Sequence, residues 1–518
     1  MTVNDKSVGT AEVDRADVVV ARRPWRTTLV ASLGLLAAYV PVTAVITALP
    51  SIQRGLSTSA SSLQWVSDAL VIPMAALILS AGVFGDVHGR RKVFLAGLMA
   101  TAVGSIVSMS AARVEVLWLG DAVMGIGAAA VVPSSLALIS HAVTDHHERS
   151  RHIAVWATAL SVGMGVGALA AGALLQAGSW RWAFLPGLVA AAMGLLVGAW
   201  GAEDSRSPVP RHLDWPGQIL GTMAVCGLVY GVIEGADSGW SGPRSILGFA
   251  VAVGGAVLFV VAESRSTSPM LDLTVFRARA FTGASVVAII AMFGLIGLIG
   301  LFYVSSLFYG GVQHLDGLQI AYRLATYCGV LAIASLAVGR IMHRFRPQLL
   351  MAFGLLVIAA GMAWMATIDA QSGFLAAAAR MTVIAAGFAF VFTPMTAAAV
   401  SSVDHHLTGM ASAGINAVRQ VGGALGPAVF GAILIARQTA HFPGALAEHG
   451  VATADRSTIL AHVDAHGINA ASAMTTGPAT QGFADSLTYA MHVCVLVGAG
   501  AMVVAAIVAL ALQPRTPS

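Results

Sequence analysis

The sequence predicts an all-α polytopic membrane protein with fourteen transmembrane helices in a 6+2+6 arrangement. Three observations predict it. Of the 518 residues 57% are hydrophobic and only 10% are charged, with a mean hydropathy of +0.81, whereas a soluble domain carries about 25% charged residues. Apolar segments of the roughly 20 residues needed to cross the hydrocarbon as a helix recur along nearly the whole chain. Basic residues, finally, gather in alternate connections between those segments.

In order, the predicted spans are 27–50, 62–84, 92–112, 116–139, 152–175 and 180–200, which form a first six-helix bundle over 27–200. A polar linker from Glu203 to Asp214, carrying Pro208 and Pro210, leads into spans 214–236 and 244–262, and a second polar stretch runs from Glu263 to Arg279. Residues 201–279 are therefore read as linkers plus two inserted helices. Spans 280–309, 317–339, 348–367, 373–400, 408–436 and 485–511 complete a second bundle over 280–512, with an outer loop at 437–484. Residues 1–26 and 513–518 are read as cytoplasmic tails.

The charge asymmetry sets the direction. With the N-terminus inside, cytoplasmic segments hold 19 of the 28 basic residues, and the outer loops hold six: Arg54, Arg113, Arg181, Arg244, Arg437 and Arg456. Arg323, Arg380 and Arg419 fall inside spans. Dropping one span scrambles this pattern, so both termini are expected in the cytoplasm and the protein in the inner (cell) membrane.

The same features exclude other classes. The net charge of +4 comes from short clusters, none long enough to track a phosphate backbone, so nucleic acid is not an expected partner. Cys226, Cys328 and Cys494 all lie in apolar runs and imply no disulfide framework. The apolar run from Thr27 to Pro50 is too long for a signal-peptide core and reads as a retained helix. No phosphate-cradling loop, metal-ligand cluster or nucleophile–base arrangement is present, so no enzyme and no cofactor is expected.

An internal repeat points toward transport. Asp145-His146-His147 recurs as Asp404-His405-His406, and Gly163, Gly167 and Gly172 recur as Gly422, Gly426 and Gly431, all at a separation of 259. Repeated halves around a central pathway are a common plan of secondary transporters.

Several motifs together resemble the major facilitator superfamily, in particular its fourteen-span drug:proton antiporter branch. Gly82-x-x-x-Asp86-x-x-Gly89-Arg90-Arg91-Lys92 resembles the family's loop between spans 2 and 3, with Val87 where a basic residue is usual. Gln64-Trp65-Val66-Ser67-Asp68-Ala69 resembles the opening of span 2, and Trp180-Arg181-Trp182-Ala183-Phe184 the start of span 6. Arg419-Gln420-Val421-Gly422-Gly423-Ala424-Leu425-Gly426 is similar to the stretch in span 13. The resemblance implies a major facilitator fold, proton-coupled movement of a small molecule, and a role for the Gly82–Arg90 loop in stabilising one conformation. Read from the residues, Gly82 and Gly89 permit close approach and a tight turn. The basic cluster holds the loop at the cytoplasmic face. Gly163, Gly167 and Gly172 fall where the family carries its antiporter motif, but its Gly-Pro pair is here Gly167-Ala168 and survives only in the copy Gly426-Pro427. Helix packing and an antiport determinant are both open readings of these glycines.

Charges inside spans are costly and mark function by default. The acid and amide of the family's span-1 pattern are replaced by Pro41 and Ile46, and its span-4 arginine by Asp121. An arginine keeps its proton, whereas an aspartate can exchange one. Asp68, Asp121, Arg323 and Arg380 all lie about six residues into their spans, roughly 9 Å deep. One reading is a layer of opposite charges, Asp68 facing Arg323 and Asp121 facing Arg380, closing an outer gate. The other is four interface residues snorkelling to headgroups. Asp68 and Asp121 are the proton-coupling candidates, and Arg419 is expected to line the cavity. His441, His449, His462 and His466 are read as part of a solvated loop without metal-ligand spacing.

The expected function is proton-coupled export of small amphipathic molecules by a monomer in the bilayer. An uptake symporter and a non-transporting membrane receptor or enzyme are the alternatives.

Overall fold

A computed structural model describes residues 24–512 apart from 59, 144–145, 202–213, 267–268, 270–272, 295–296, 402–407, 467 and 469–474. Among the described residues the regular structure is entirely helical. The predicted tails (up to residue 23 and from 513), the Glu203–Asp214 linker up to residue 213, and Asp404-His405-His406 lie outside them, as do the side chains of Asp86, Asp464 and His466.

Helices α1 (Pro24–Leu56), α2 (Ala60–His88), α3 (Arg90–Met109), α4 (Val114–Ala142), α5 (His146–Leu175) and α6 (Leu185–Gly201) come first. Next come α7 (Trp215–Ser238) and α8 (Pro243–Arg265), then α9 (Arg279–Gly294) and α10 (Gly297–Gly311). The chain continues through α11 (Gly317–Ile341), α12 (Pro347–Met365), α13 (Phe374–Ser401), α14 (Thr408–Glu448), α15 (Thr453–His466) and α16 (Pro478–Leu512). Twelve of these helices contain a stretch long and apolar enough to cross a bilayer. The apolar stretches Ser62–Ile78 of α2 and Phe281–Met292 of α9 are shorter.

The surface is apolar as well as the core, unlike that of a soluble protein. Leu196, Trp200 and Leu375 are 75%, 78% and 81% exposed, while Asp68, Asp121 and Gln64 are fully buried. Apolar side chains face outward because the surrounding solvent is hydrocarbon, and the polar groups turn to the interior. The chain is a multi-pass membrane protein.

Two expectations about the elements change. The described residues of the span 280–309 are helical on both sides of residues 295–296. Residues 180–184 form a separate 3₁₀ turn before α6, capped by the Ser179 hydroxyl accepting from the Arg181 amide. The segment 437–484 is largely helical rather than a loop: α14 runs on to Glu448 and α16 begins at Pro478. Phe442 of α14 meets Phe483 of α16 edge to face at 6.1 Å, so an apolar stripe continues past the membrane-length portion of both helices. His449 and Asp485 pair beside that stripe.

We call the end where α1 begins and α16 ends proximal, and the opposite end distal. α7 is fastened to α2 toward the proximal end, where Gln218 donates to the Ala76 carbonyl at 3.0 Å and accepts from Ser80. α8 lies against α7 through glycine: a Cβ on Gly248 would come 2.6 Å from the Gly231 Cα.

Candidate transport site

The distal ends of the first and second halves of the chain meet at three crossings. Ser306 of α10 donates to the Ile46 carbonyl of α1 at 2.9 Å. Gln64 of α2 donates to the Ala428 carbonyl of α14, also at 2.9 Å. At the third crossing, a Cβ on Gly172 of α5 would sit 2.6 Å from the Gly317 carbonyl of α11. Backbone carbonyls, rather than charges, hold this end shut.

The glycines explain how the helices come so close. A Cβ on Gly163 would lie 2.9 Å from the Leu36 carbonyl of α1, and one on Gly167 would overlap the Val40 carbonyl and reach within 2.6 Å of the Thr43 hydroxyl. Thr43 in turn donates to the Met164 carbonyl at 2.6 Å. Gly163 and Gly167 thus seat α5 on α1, while Gly172 seats the same helix on α11. The copies behave alike: Gly422 of α14 packs on α9, 2.9 Å from the Ile289 carbonyl, and Gly431 packs on Gln64 of α2. The 259-residue repeat therefore recurs as a repeated set of contacts.

The four span charges do not form the expected layer. Asp121 accepts a hydrogen bond from Ser108 of α3 at 3.0 Å, inside its own α3–α4 contact. Arg380 donates to the Trp364 carbonyl at 3.0 Å and to the Thr367 hydroxyl at 2.8 Å, both on the α12 side, and to the Ala376 carbonyl of its own helix. Arg323 donates to the Gln319 carbonyl at 3.2 Å and lies over the rings of Tyr309 and Phe374. Among the described residues no ion pair joins Asp68 to Arg323 or Asp121 to Arg380. The physical reason is azimuth. Similar depth does not make two side chains face each other, and close α3–α4 packing turns Asp121 toward α3, where a Cβ on Gly104 would meet the Gly120 carbonyl at 2.6 Å. Swapping the charges at 121 and 380 in a double variant is expected to restore no transport beyond either single variant, measured as substrate efflux from cells.

Asp68 stands apart. It is fully buried, and both of its carboxylate oxygens lack a hydrogen-bond partner. It lies one turn along α2 from Gln64, on the same face, and therefore just beneath the α2–α14 contact. Tyr303 of α10, from the second half, is within electrostatic range of it. A charged carboxylate without a partner is costly to bury.

Arg419 sits nearer the middle of α14. It donates to Asn416 of its own helix and, at 3.2 Å, to the Thr396 hydroxyl of α13, with its guanidinium 4.4 Å from the Phe392 ring centroid. Tyr39 of α1 lies within electrostatic range across the two halves. Tyr39 and the Asn416–Thr396–Phe392 setting went unremarked in the sequence, because nothing in spacing alone brings span 1 beside span 13.

At the proximal end, Gly89 joins α2 to α3 with φ of 108°, a region that side chains rarely adopt. Arg90 donates to the Ala137 carbonyl of α4 at 3.5 Å and Arg91 to the Ala199 carbonyl of α6 at 2.6 Å, so the motif ties three turns together. Gly82 is different from expectation: a Cβ there would make only ordinary contact with Pro133 at 3.7 Å, so no close approach requires it. Gly89→Ala is expected to cost about 1–3 kcal/mol through backbone strain and Gly82→Ala close to nothing, read from the thermal unfolding of the two purified variants. At the distal end, Arg181 donates to the Ala111 carbonyl at 2.8 Å and stacks on Trp180, whose ring would meet a Cβ on Gly55 at 2.6 Å. That motif links three turns in the same manner.

Comparison with known proteins agrees with this architecture. The sequence profile described as Major Facilitator Superfamily matches residues 31–427. The chain is 32% identical over 410 residues to the Multidrug resistance protein Stp of Mycobacterium tuberculosis (strain CDC 1551 / Oshkosh), covering 79% of this chain and 76% of that protein. It is 31% identical over 459 residues to the Puromycin resistance protein pur8 of Streptomyces alboniger, covering 88% and 89%. Among solved structures, a bacterial homolog of the human lysosomal transporter Spinster, in an inward-facing and unoccupied conformation, superposes with a TM-score of 0.63 at 16% identity, over 96% of this chain and 99% of that one. With the profile covering most of its length, the chain belongs to the Major Facilitator Superfamily and is a membrane transporter, not an enzyme.

Proposed function

We propose that this protein exports small amphipathic molecules in exchange for protons. The reading is of a monomeric fourteen-span carrier of the cell membrane, with two six-helix halves, the α7–α8 hairpin inserted between them and both termini in the cytoplasm. The fourteen-span count takes α2 as one span and α9 with α10 as another, beside the twelve helices whose length and composition suffice alone. The basic-residue asymmetry favours the distal end as the outer one.

One observation carries the coupling: Asp68, buried and unpartnered one turn beneath the distal contact. In the proposed cycle the neutral acid permits the distal end to close. Opening that end lets water reach the carboxyl, and proton and cargo move in opposite directions. Arg419 with Tyr39 lines the path between the halves, where a guanidinium and a phenol suit anionic or zwitterionic cargo as readily as an aromatic one. Asp121 is assigned a supporting role within α3–α4. Gly163, Gly167 and Gly172 act as the rails on which α5 meets α1 and α11. The resistance functions named for the relatives support export, while Gly167-Ala168 in place of Gly-Pro is the one feature that favours uptake.

The test is a susceptibility panel in cells lacking and cells overproducing the protein, combined with efflux measured at several external pH values. Raised tolerance to at least one compound, with efflux that weakens as the outside is made alkaline, is expected. Heightened sensitivity on overproduction points to uptake and overturns the export reading.

A further inference from the structure

We propose that the groove between the α7–α8 hairpin and α2–α4 binds one phosphatidylethanolamine molecule, its acyl chain in the groove and its headgroup on Arg244 and Glu234. The groove encloses about 610 Å³ and is lined by Trp65, Ala69, Trp118, Ala122, Tyr230 and Leu247, among others. Gln218 fastens α7 to α2 toward the proximal end, while toward the distal end the rings of Trp65 on α2 and Tyr230 on α7 face each other across the gap at a centroid distance of 6.4 Å, with Trp118 of α4 beside Trp65.

Three features identify the occupant. The groove opens toward the bilayer, since Leu119 and Leu247 on its rim are 59% and 61% exposed. Its lining on α2 runs from Trp65 to Pro73, about 12 Å at 1.5 Å per residue, close to the roughly 15 Å of hydrocarbon in one leaflet. Along α8 the lining residues Leu247, Gly248 and Val251 share a helical face with Arg244, which sits one turn closer to the distal end. Arg244 is exposed and stands 3.8 Å from Glu234, too far for a hydrogen bond, so its donors remain able to reach a phosphate. A guanidinium beside a carboxylate matches a phosphate beside a primary ammonium, which can donate to Glu234. A quaternary ammonium has no N–H to donate.

The test titrates the full-length protein, purified in detergent, with palmitoyl-oleoyl phosphatidylethanolamine or with the phosphatidylcholine of identical chains, and reads bound lipid by native mass spectrometry. One ethanolamine lipid per protein is expected, at roughly tenfold lower concentration than the choline lipid. Arg244→Ala and Glu234→Gln should each erase that preference, and Ala122→Phe should remove the bound lipid by filling the groove. In the wild-type protein, the same ethanolamine lipid with brominated chains should quench the part of the fluorescence that Trp118→Phe removes, a readout that needs no filling variant. Equal retention of both lipids, retention unchanged by Ala122→Phe, or absence of that quenching each overturns the proposal. So does one-for-one displacement of the lipid by tetraphenylphosphonium, which would make the groove a solute site.

Discussion

Asp68→Asn is expected to abolish pH-gradient-driven transport while leaving the protein folded and able to bind its substrate. Asparagine keeps the shape of the protonated acid, and the site asks for no more than that, because neither carboxylate oxygen has a hydrogen-bond partner. Folding should therefore not suffer, and the thermal unfolding of the variant should equal or exceed that of the wild type. What disappears is the exchangeable proton. Net efflux against a gradient should fall to the level of vesicles without protein, whereas substrate equilibration between the two faces should continue. Asp121→Asn serves as the comparison. Its carboxylate is held by Ser108 within α3–α4, away from the contact between halves, and a neutral amide can still accept that hydrogen bond. Coupling should persist in that variant.

Gly167→Ala should have one of the largest structural effects of any single methyl group added to the chain. The new Cβ would overlap the Val40 carbonyl and crowd the Thr43 hydroxyl, and backbone cannot rotate away as a flexible side chain can. Overpacking of this kind costs about 1–3 kcal/mol, and a backbone clash belongs at the top of that range. The loss should appear as a lower unfolding temperature and poor yield, with transport lost in proportion. Gly423→Ala is the control, because a Cβ there would meet nothing within 4 Å. Equal effects of the two substitutions would contradict the close α1–α5 seat.

Much of this architecture is legible in the sequence, for a physical reason. Lipid leaves a backbone few choices, so a long apolar run already means a helix, and half of the observed helices contain their predicted spans in full. The runs say less about where a helix stops, since α14 and α16 continue through mixed sequence once Phe442 and Phe483 pack on each other. Counting residues from a span end places Asp68, Asp121, Arg323 and Arg380 at a similar distance along their helices. Direction was not legible. Which way a side chain points depends on which neighbour comes close, and that is decided by glycines at the helix contacts, such as Gly104 of α3 against Gly120 of α4 for Asp121. Ser108 and Gly104 on one helix, with Gly120 and Asp121 on the next, were the available signal. The partners of Arg380, the Trp364 carbonyl and Thr367, carried no comparable mark in the sequence.

The glycine repeat, in contrast, holds its meaning from sequence to contact. Gly163 and Gly422 each approach a carbonyl of the helix that opens their half, at the same 2.9 Å, and Gly172 and Gly431 each reach a helix of the other half. Two of the three distal crossings thus use corresponding positions of the two copies. An arrangement closed by carbonyls and small residues can open by separation of helices.

In the proposed cycle a proton taken up by this carrier drives its substrate the other way. The direct measurement uses inside-out membrane vesicles containing the full-length protein, in which the outer face of the carrier looks into the lumen. Acidifying the lumen should drive the accumulation of a compound to which the protein confers tolerance, nigericin should collapse it, and Asp68→Asn should prevent it. Accumulation that is indifferent to nigericin and to Asp68→Asn, or flux out of the lumen along with the protons, would contradict the account.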